Sequence, residues 1–281
     1  EGMLLGLVEG SVSAQEAQRF SNLLGLWPAQ AGYRVAVFEP ERDQTGELCR
    51  ALKAMGALTV PRMTNHMPQL TGNSSLADEL QSSMEREGCA VIPVQADVSD
   101  PEQVERMVQT VQRQFGHIDV LVCNAGIARQ GLLTDFSPAD WRQMMAVNLD
   151  GTFYCCRSVL PGMIRHKYGR ILCVSSMWGQ VGGSCEVHYS AAKAGVIGLC
   201  RALAKEEGPS GITVNCVAPG VIDTDMMAGF SAQDKADLAE ETPVGRLGAP
   251  EEIARTLVFL AAPEAGYITG QVIGQNGGLV I

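Results

Sequence analysis

No stretch of the 281-residue chain reaches the ~18 consecutive apolar residues of a membrane span, so a membrane-spanning protein is not expected. Basic residues are scarce: 21 Lys and Arg stand against 31 Asp and Glu, a formal net charge of −10. General nucleic-acid binding needs a basic footprint, and this balance argues against it. The first five residues lack the basic region and small-residue cleavage site of a signal peptide, and the expected location is the cytoplasm. Cysteine comes without signs of pairing. There are nine, an odd number, and no C-x-x-C occurs. Several sit inside apolar runs, as Cys123 and Cys173 do, so they read as reduced, buried thiols, with neither a disulfide framework nor a metal site. His66, His117, His166 and His188 show no metal-ligand spacing.

What is present points to one folded α/β domain. Hydrophobic residues make up 46% of the chain and charged residues 19%, which argues against intrinsic disorder. Residues 90–96, 117–123, 169–174, 212–217 and 271–274 read as strands. Residues 101–115, 138–160, 189–207 and 250–260 read as helices; in the first, Val104, Met107, Val108 and Val111 form one stripe. Strands that alternate with helices and lack polar alternation predict a doubly wound parallel sheet of Rossmann type, covered on both faces. Ligands of such sheets bind beyond the carboxyl ends of the strands. Within the first 90 residues, 33–38 reads as a strand, 47–55 and 75–87 as helices, and 61–72 as a loop.

The chemistry-bearing segment is Ser175-Ser176-Met177-Trp178-Gly179 followed by Tyr189-Ser190-Ala191-Ala192-Lys193. Tyr189 and Lys193 are four apart and share one helix face. A lysine ammonium beside a tyrosine favours the phenolate, so the phenol can move a proton nearer neutral pH. Ser176, just past the strand, can hold a carbonyl oxygen. Alone, Y-x-x-x-K describes many ordinary amphipathic helices.

Its surroundings make it specific. Asp97-Val98, Asn124-Ala125-Gly126, Asn148, Pro219-Gly220-Val221-Ile222-Asp223-Thr224, Tyr267-Ile268-Thr269-Gly270 and Asn276-Gly277-Gly278 follow in order, each at a strand end or helix start. From residue 90 onward the chain resembles the short-chain dehydrogenase/reductase family, and within it the 3-oxoacyl-acyl-carrier-protein reductases. The resemblance implies a nicotinamide cofactor and a carbonyl substrate. It makes Tyr189 the proton donor, Lys193 the group that lowers the tyrosine pKa and holds the nicotinamide ribose, and Ser176 the group that polarises the carbonyl. Asn148 is implied to anchor a water that relays protons to Lys193. Asn124, Ala125 and Gly126 are implied to form a wall beside the cofactor, Asp97 with Val98 to meet the adenine, and Gly220, Ile222 and Thr224 to lie at the carboxamide end. It further implies a homotetramer or dimer, joined through residues 138–160 and 189–207 and the last strand, with Ala191, Ala194, Ile197 and Leu203 as a packing face.

One family feature is absent. No T-G-x-x-x-G-x-G loop follows the first strand, although a pyrophosphate needs glycines for close backbone approach. Two registers remain open. In one, residues 4–8 are the first strand, 9–13 the loop, and Glu39 tips the second strand, which favours NAD. In the other, residues 33–38 open the sheet and 57–63 form the second strand. Residues 1–31 are then an extra segment before a domain of 32–281. The second register needs no large insertion and is preferred. It puts Glu39, Glu41 and Asp43 where the pyrophosphate rests, which opposes binding, while Arg62 favours NADP(H) over NAD(H).

The expected activity is NAD(P)H-dependent reduction of a 3-oxoacyl thioester or similar carbonyl, free or carrier-bound. Arg165, His166, Lys167 and Arg170 form a basic cluster suited to an acidic carrier protein. Two alternatives stand beside it. The run from Trp178 to Val187 resembles relatives that reduce a 5-aminopentanone group on a lysine of elongation factor P, with Glu186 placed to meet an ammonium. The missing glycine loop instead fits a non-catalytic homologue that serves as a subunit or binding module.

Overall fold

The computed structural model describes residues 92, 94–224, 227 and 229–281, together with the backbone of 33–35. The boundary at residue 31, both candidate phosphate loops, the second strand at 57–63 with Arg62, and the helices at 47–55 and 75–87 lie outside the described residues.

Strand β1 (Tyr33–Val35) pairs with β2 (Val94–Ala96). Helix α1 (Pro101–Phe115) follows, and Asp100 caps it by accepting from the backbone N–H groups of Glu102 and Gln103. Its apolar stripe, Val104, Met107, Val108 and Val111, is buried as the spacing requires. Strand β3 (Val120–Cys123) leads to α2 (Pro138–Met145), a π-helical turn at Ala146–Asp150, and α3 (Gly151–His166). Then come β4 (Gly169–Val174), the short α4 (Met177–Val181), α5 (Val187–Glu207) and β5 (Ile212–Pro219). Helices α6 (Ala232–Glu241) and α7 (Pro250–Ala261) precede β6 (Val272–Gln275).

Strands β3-β4-β5-β6 form one parallel sheet in that order. Strands β4 and β5 are buried almost throughout, so both of their faces are covered, as parallel strands require. Helix α3 packs on β3 and β4, α5 on β5, and α7 on β4 and β5. The expected doubly wound α/β architecture is the observed one. None of the described helices is long and apolar enough to cross a membrane.

Two expectations are corrected. Tyr33–Val35 does not enter the parallel sheet: it runs antiparallel to Val94–Ala96, with Tyr33 opposite Ala96. An apolar strand reads alike in both directions, so its pattern does not encode the sense of its pairing. The helix expected over 138–160 is interrupted by the π turn that contains Asn148. Hydrophobic periodicity runs through such a turn undisturbed, and π turns are frequent at functional sites.

Candidate active site

The carboxyl ends of the parallel strands deliver the reactive side chains. β3 runs into Asn124, β4 into Ser175 and Ser176, and β5 into Gly220 and Ile222. Helix α5 supplies Tyr189 and Lys193 from one face, and the π turn supplies Asn148. A cavity of about 520 Å³ is lined by Asn124, Gly126, Asn148, Ser176, Tyr189, Lys193, Gly220, Ile222 and Thr224. Nine of the twelve residues expected in the site thus meet in one place. Asp97, Val98 and Ala125 do not line it. Asp97 accepts from the Ser99 backbone and hydroxyl at 2.9 and 2.7 Å, Val98 is buried, and Ala125 packs against the core.

Ser176 caps α4. Its Oγ accepts from the Trp178 backbone N–H at 3.1 Å, which leaves its own hydrogen to donate elsewhere. A hydrogen bond between Ser176 and Tyr189 favours the phenolate, but burial of the phenol outweighs it and pushes the Tyr189 pKa up to about 12. Burial also draws Lys193 down to about 8, and its Nζ donates to the Val174 carbonyl at 2.9 Å. Desolvation dominates both groups, and the ammonium is directed at the strand carbonyl.

Asn148 is fully buried. Its Nδ2 donates to the carbonyls of Ile127 at 3.0 Å and Met144 at 3.1 Å, and its Oδ1 accepts from the Ile127 N–H at 3.2 Å. It fastens the segment after β3 to the π turn. In the structure its side chain braces this junction. Gly126 faces it. A Cβ at 126 would lie 2.6 Å from Asn148 Oδ1 and 3.2 Å from Lys193 Nζ, so only glycine leaves this part of the cavity open.

The apolar part of the lining was not foreseen: Met227, Phe230 and Leu238, with Ile253 and Leu257 of α7. No spacing signal marks these residues, because they come from separate elements that meet only through the fold. Trp178, Arg129, Gln130 and Glu186 also line the cavity. Gln130 donates to Glu186 at 3.1 Å, and burial raises the Glu186 pKa. Arg129 is paired with Asp140.

The basic cluster is misplaced for its expected task. Arg165, His166, Lys167 and Arg170 lie at the amino end of β4, while Ser176 follows its carboxyl end. A six-residue strand separates the two ends by roughly 20 Å. Arg170 is buried and stacks over the Tyr168 ring at 4.5 Å.

Known proteins resemble this chain over most of its length. The sequence model of a family described as enoyl-(acyl carrier protein) reductase matches residues 69–280. The chain is 41% identical to (2S)-[(R)-hydroxy(phenyl)methyl]succinyl-CoA dehydrogenase subunit BbsD of Thauera aromatica, over 80% of this chain and 91% of that protein. It is 42% identical to the 3-oxoacyl-[acyl-carrier-protein] reductase FabG of Vibrio cholerae, over 65% and 75% of the two chains. An uncharacterized oxidoreductase, YmfI of Bacillus subtilis, is 39% identical over 80% and 93%.

Proposed function

The chain belongs to the short-chain dehydrogenase/reductase family, and on that premise we propose that it reduces the 3-oxo group of an acyl thioester to a hydroxyl with NADPH. Its membership makes it a nicotinamide-dependent oxidoreductase of carbonyl and hydroxyl groups. The observation that carries the finer reading is the cavity itself. Ser176, Tyr189 and Lys193 line it together with the apolar side chains of Met227, Phe230, Leu238, Ile253 and Leu257, which suit an acyl chain.

The nicotinamide end of the cofactor fits on one observation of the structure. Gly126 keeps open the space beside Lys193 Nζ and Asn148 Oδ1 that any side chain would fill. Asn124, Gly126, Lys193, Ile222 and Thr224 would hold that end. When bound, the cofactor supplies the hydride. The protein's own groups do the rest. Ser176, with its hydrogen uncommitted to the helix cap, donates to the carbonyl oxygen. Tyr189 is held protonated by burial and stands ready to give its proton to that oxygen as negative charge develops. Lys193 keeps a positive centre at the base of the site. The apolar lining excludes water from the reacting carbon.

Glu186 favours a second reading, in which the substrate is an aminoketone side chain of the 5-aminopentanone type. Its buried carboxylate lines the cavity, held by Gln130 and placed to meet an ammonium. Placement of the three groups in one cavity argues against the third reading, a non-catalytic binding module.

The test is NADPH oxidation with a 3-oxoacyl thioester. Tyr189→Phe should lower the rate on the order of 10²–10⁴-fold while leaving the circular dichroism spectrum unchanged. Undiminished turnover by the Phe variant would overturn the assignment. Faster turnover of a 5-aminopentanone peptide, abolished by Glu186→Gln, would decide for the second reading.

A further inference from the structure

Six buried cysteines come together between the parallel sheet and the helices packed on it. Cys123, Cys173 and Cys216 are register partners on β3, β4 and β5, so their side chains form a row across three adjacent strands. Cys155 and Cys156 on α3 and Cys200 on α5 lie over this row, and the six interact as neighbouring thiols. One group among the six is singled out by distance. The Sγ atoms of Cys123, Cys156 and Cys173 all lie within 4.8 Å of one another.

We propose that Cys123, Cys156 and Cys173 form a three-thiolate site for one soft monovalent cation, Cu(I). A metal–sulfur distance of about 2.3 Å places the sulfurs of a trigonal site about 4.0 Å apart. The sulfurs therefore need to close by less than about 1 Å from their 4.8 Å limit, within the reach of side-chain adjustment. The donor set selects the metal. Three thiolates with no fourth ligand in the group suit a soft monovalent ion, whereas structural zinc takes four ligands. Hard cations are excluded by the absence of oxygen donors in the group.

Hydrogen bonds from Cys123 and Cys173 favour the thiolate of Cys156. Neighbouring thiols and burial raise the pKa of Cys123 and Cys173, so an ion has to displace their protons. The Lys193 ammonium interacts electrostatically with Cys123, Cys173 and Cys216, and so offers a counter-charge. Binding releases thiol protons to solvent. Cys156 and Cys173 are essentially inaccessible, while Cys123 retains 9% exposure and is the side from which an ion enters. Cys123 also ends β3 and runs directly into Asn124 and Gly126. An ion that draws the three sulfurs together pulls on the wall of the reactive cavity.

The experiment is an anaerobic titration of the reduced full-length protein with Cu(I) in competition with bicinchoninate. Cys49, Cys89 and Cys185 are first replaced by Ser, so that retention reads only the six buried thiols. This parent protein should retain one Cu(I), and X-ray absorption should show three sulfur ligands. Adding Cys156→Ala should weaken retention at least hundredfold without changing the melting temperature of the metal-free protein. Cys123→Ala serves the same purpose if Cys156→Ala fails to fold. Loss of all copper to the chelator, fewer than three sulfurs, or equal retention by a folded variant would overturn the proposal. These readouts need no turnover, so they stand or fall apart from the proposed reductase activity.

Discussion

Lys193 donates from Nζ to the carbonyl oxygen of Val174 at 2.9 Å, tying the helix that carries Tyr189 to the strand that delivers Ser176. Ser175 closes the same junction, its Oγ donating to the Lys193 carbonyl at 2.9 Å. The reactive residues therefore share one rigid corner of the fold, and the ammonium is buried to make it.

That burial makes stability depend on pH. The Lys193 pKa falls from 10.5 to about 8 in the folded protein. A shift of this size is worth about 3 kcal/mol, present in full below pH ~8 as a cost of burying the ammonium. Between pH 8 and 10.5 the unfolded chain holds the proton that the folded chain has lost, so stability rises with pH through that window. Urea unfolding of the wild type and Lys193→Met should show it. The wild type should gain on the variant by up to about 3 kcal/mol from pH 8 to 10.5. The opposing effect of Tyr189, whose raised pKa costs stability above pH 10, is common to both proteins and cancels. A constant difference across the window would refute a buried ammonium.

Gly126→Ala should impair activity more than folding. The new methyl would meet Asn148 Oδ1 at 2.6 Å and crowd Lys193 Nζ at 3.2 Å. Overpacking of this kind costs about 1–3 kcal/mol of stability. On the proposed reading the space it fills is the one the nicotinamide end requires, so kcat/KM should fall at least tenfold and NADPH binding with it. A variant with normal cofactor binding, measured by fluorescence titration, would place the nicotinamide elsewhere.

Much of this site could be read from the chain because its members lie at strand ends or repeat on one helix face. Ser176 follows an apolar run, Tyr189 and Lys193 share a helical spacing, and Gly126 follows Asn124 at the next strand end. The stripe of α1 was equally legible, since one amphipathic face has one period. Three features were not. The π turn at Asn148 leaves the apolar pattern intact. The apolar lining joins Phe230, Leu238 and Leu257 across separate elements. The meeting of Cys123, Cys156 and Cys173 depends on strand register and helix docking, and no local spacing encodes either.

Weak dinucleotide affinity for this family is expected from the sequence, which holds no T-G-x-x-x-G-x-G loop; the stretch after residues 33–38 instead carries Glu39, Glu41 and Asp43, with Pro40 lacking a backbone N–H. Each close like-charge contact costs on the order of 1 kcal/mol near a surface. Replacing residues 39–45 with a T-G-x-x-x-G-x-G type loop should tighten NADPH binding at least tenfold by calorimetry. Micromolar or tighter binding by the unmodified chain would show that another segment supplies the phosphate cradle.

Recognition of a carrier protein should not use the basic cluster. Arg165, His166 and Lys167 end α3 at the amino edge of the sheet, and Arg170 is buried against Tyr168. The cavity opens at the carboxyl edge, roughly 20 Å away along β4. An acyl group carried on an acidic protein docked at the cluster would have to cross the full depth of the sheet. Charge reversal by Arg165→Glu with Lys167→Glu changes two residues at the end of α3 and none in the site. The kcat/KM for a carrier-linked 3-oxoacyl substrate, divided by that for the matching coenzyme A thioester, should change less than twofold. A selective loss of tenfold or more with the carrier-linked substrate would return the docking surface to this edge.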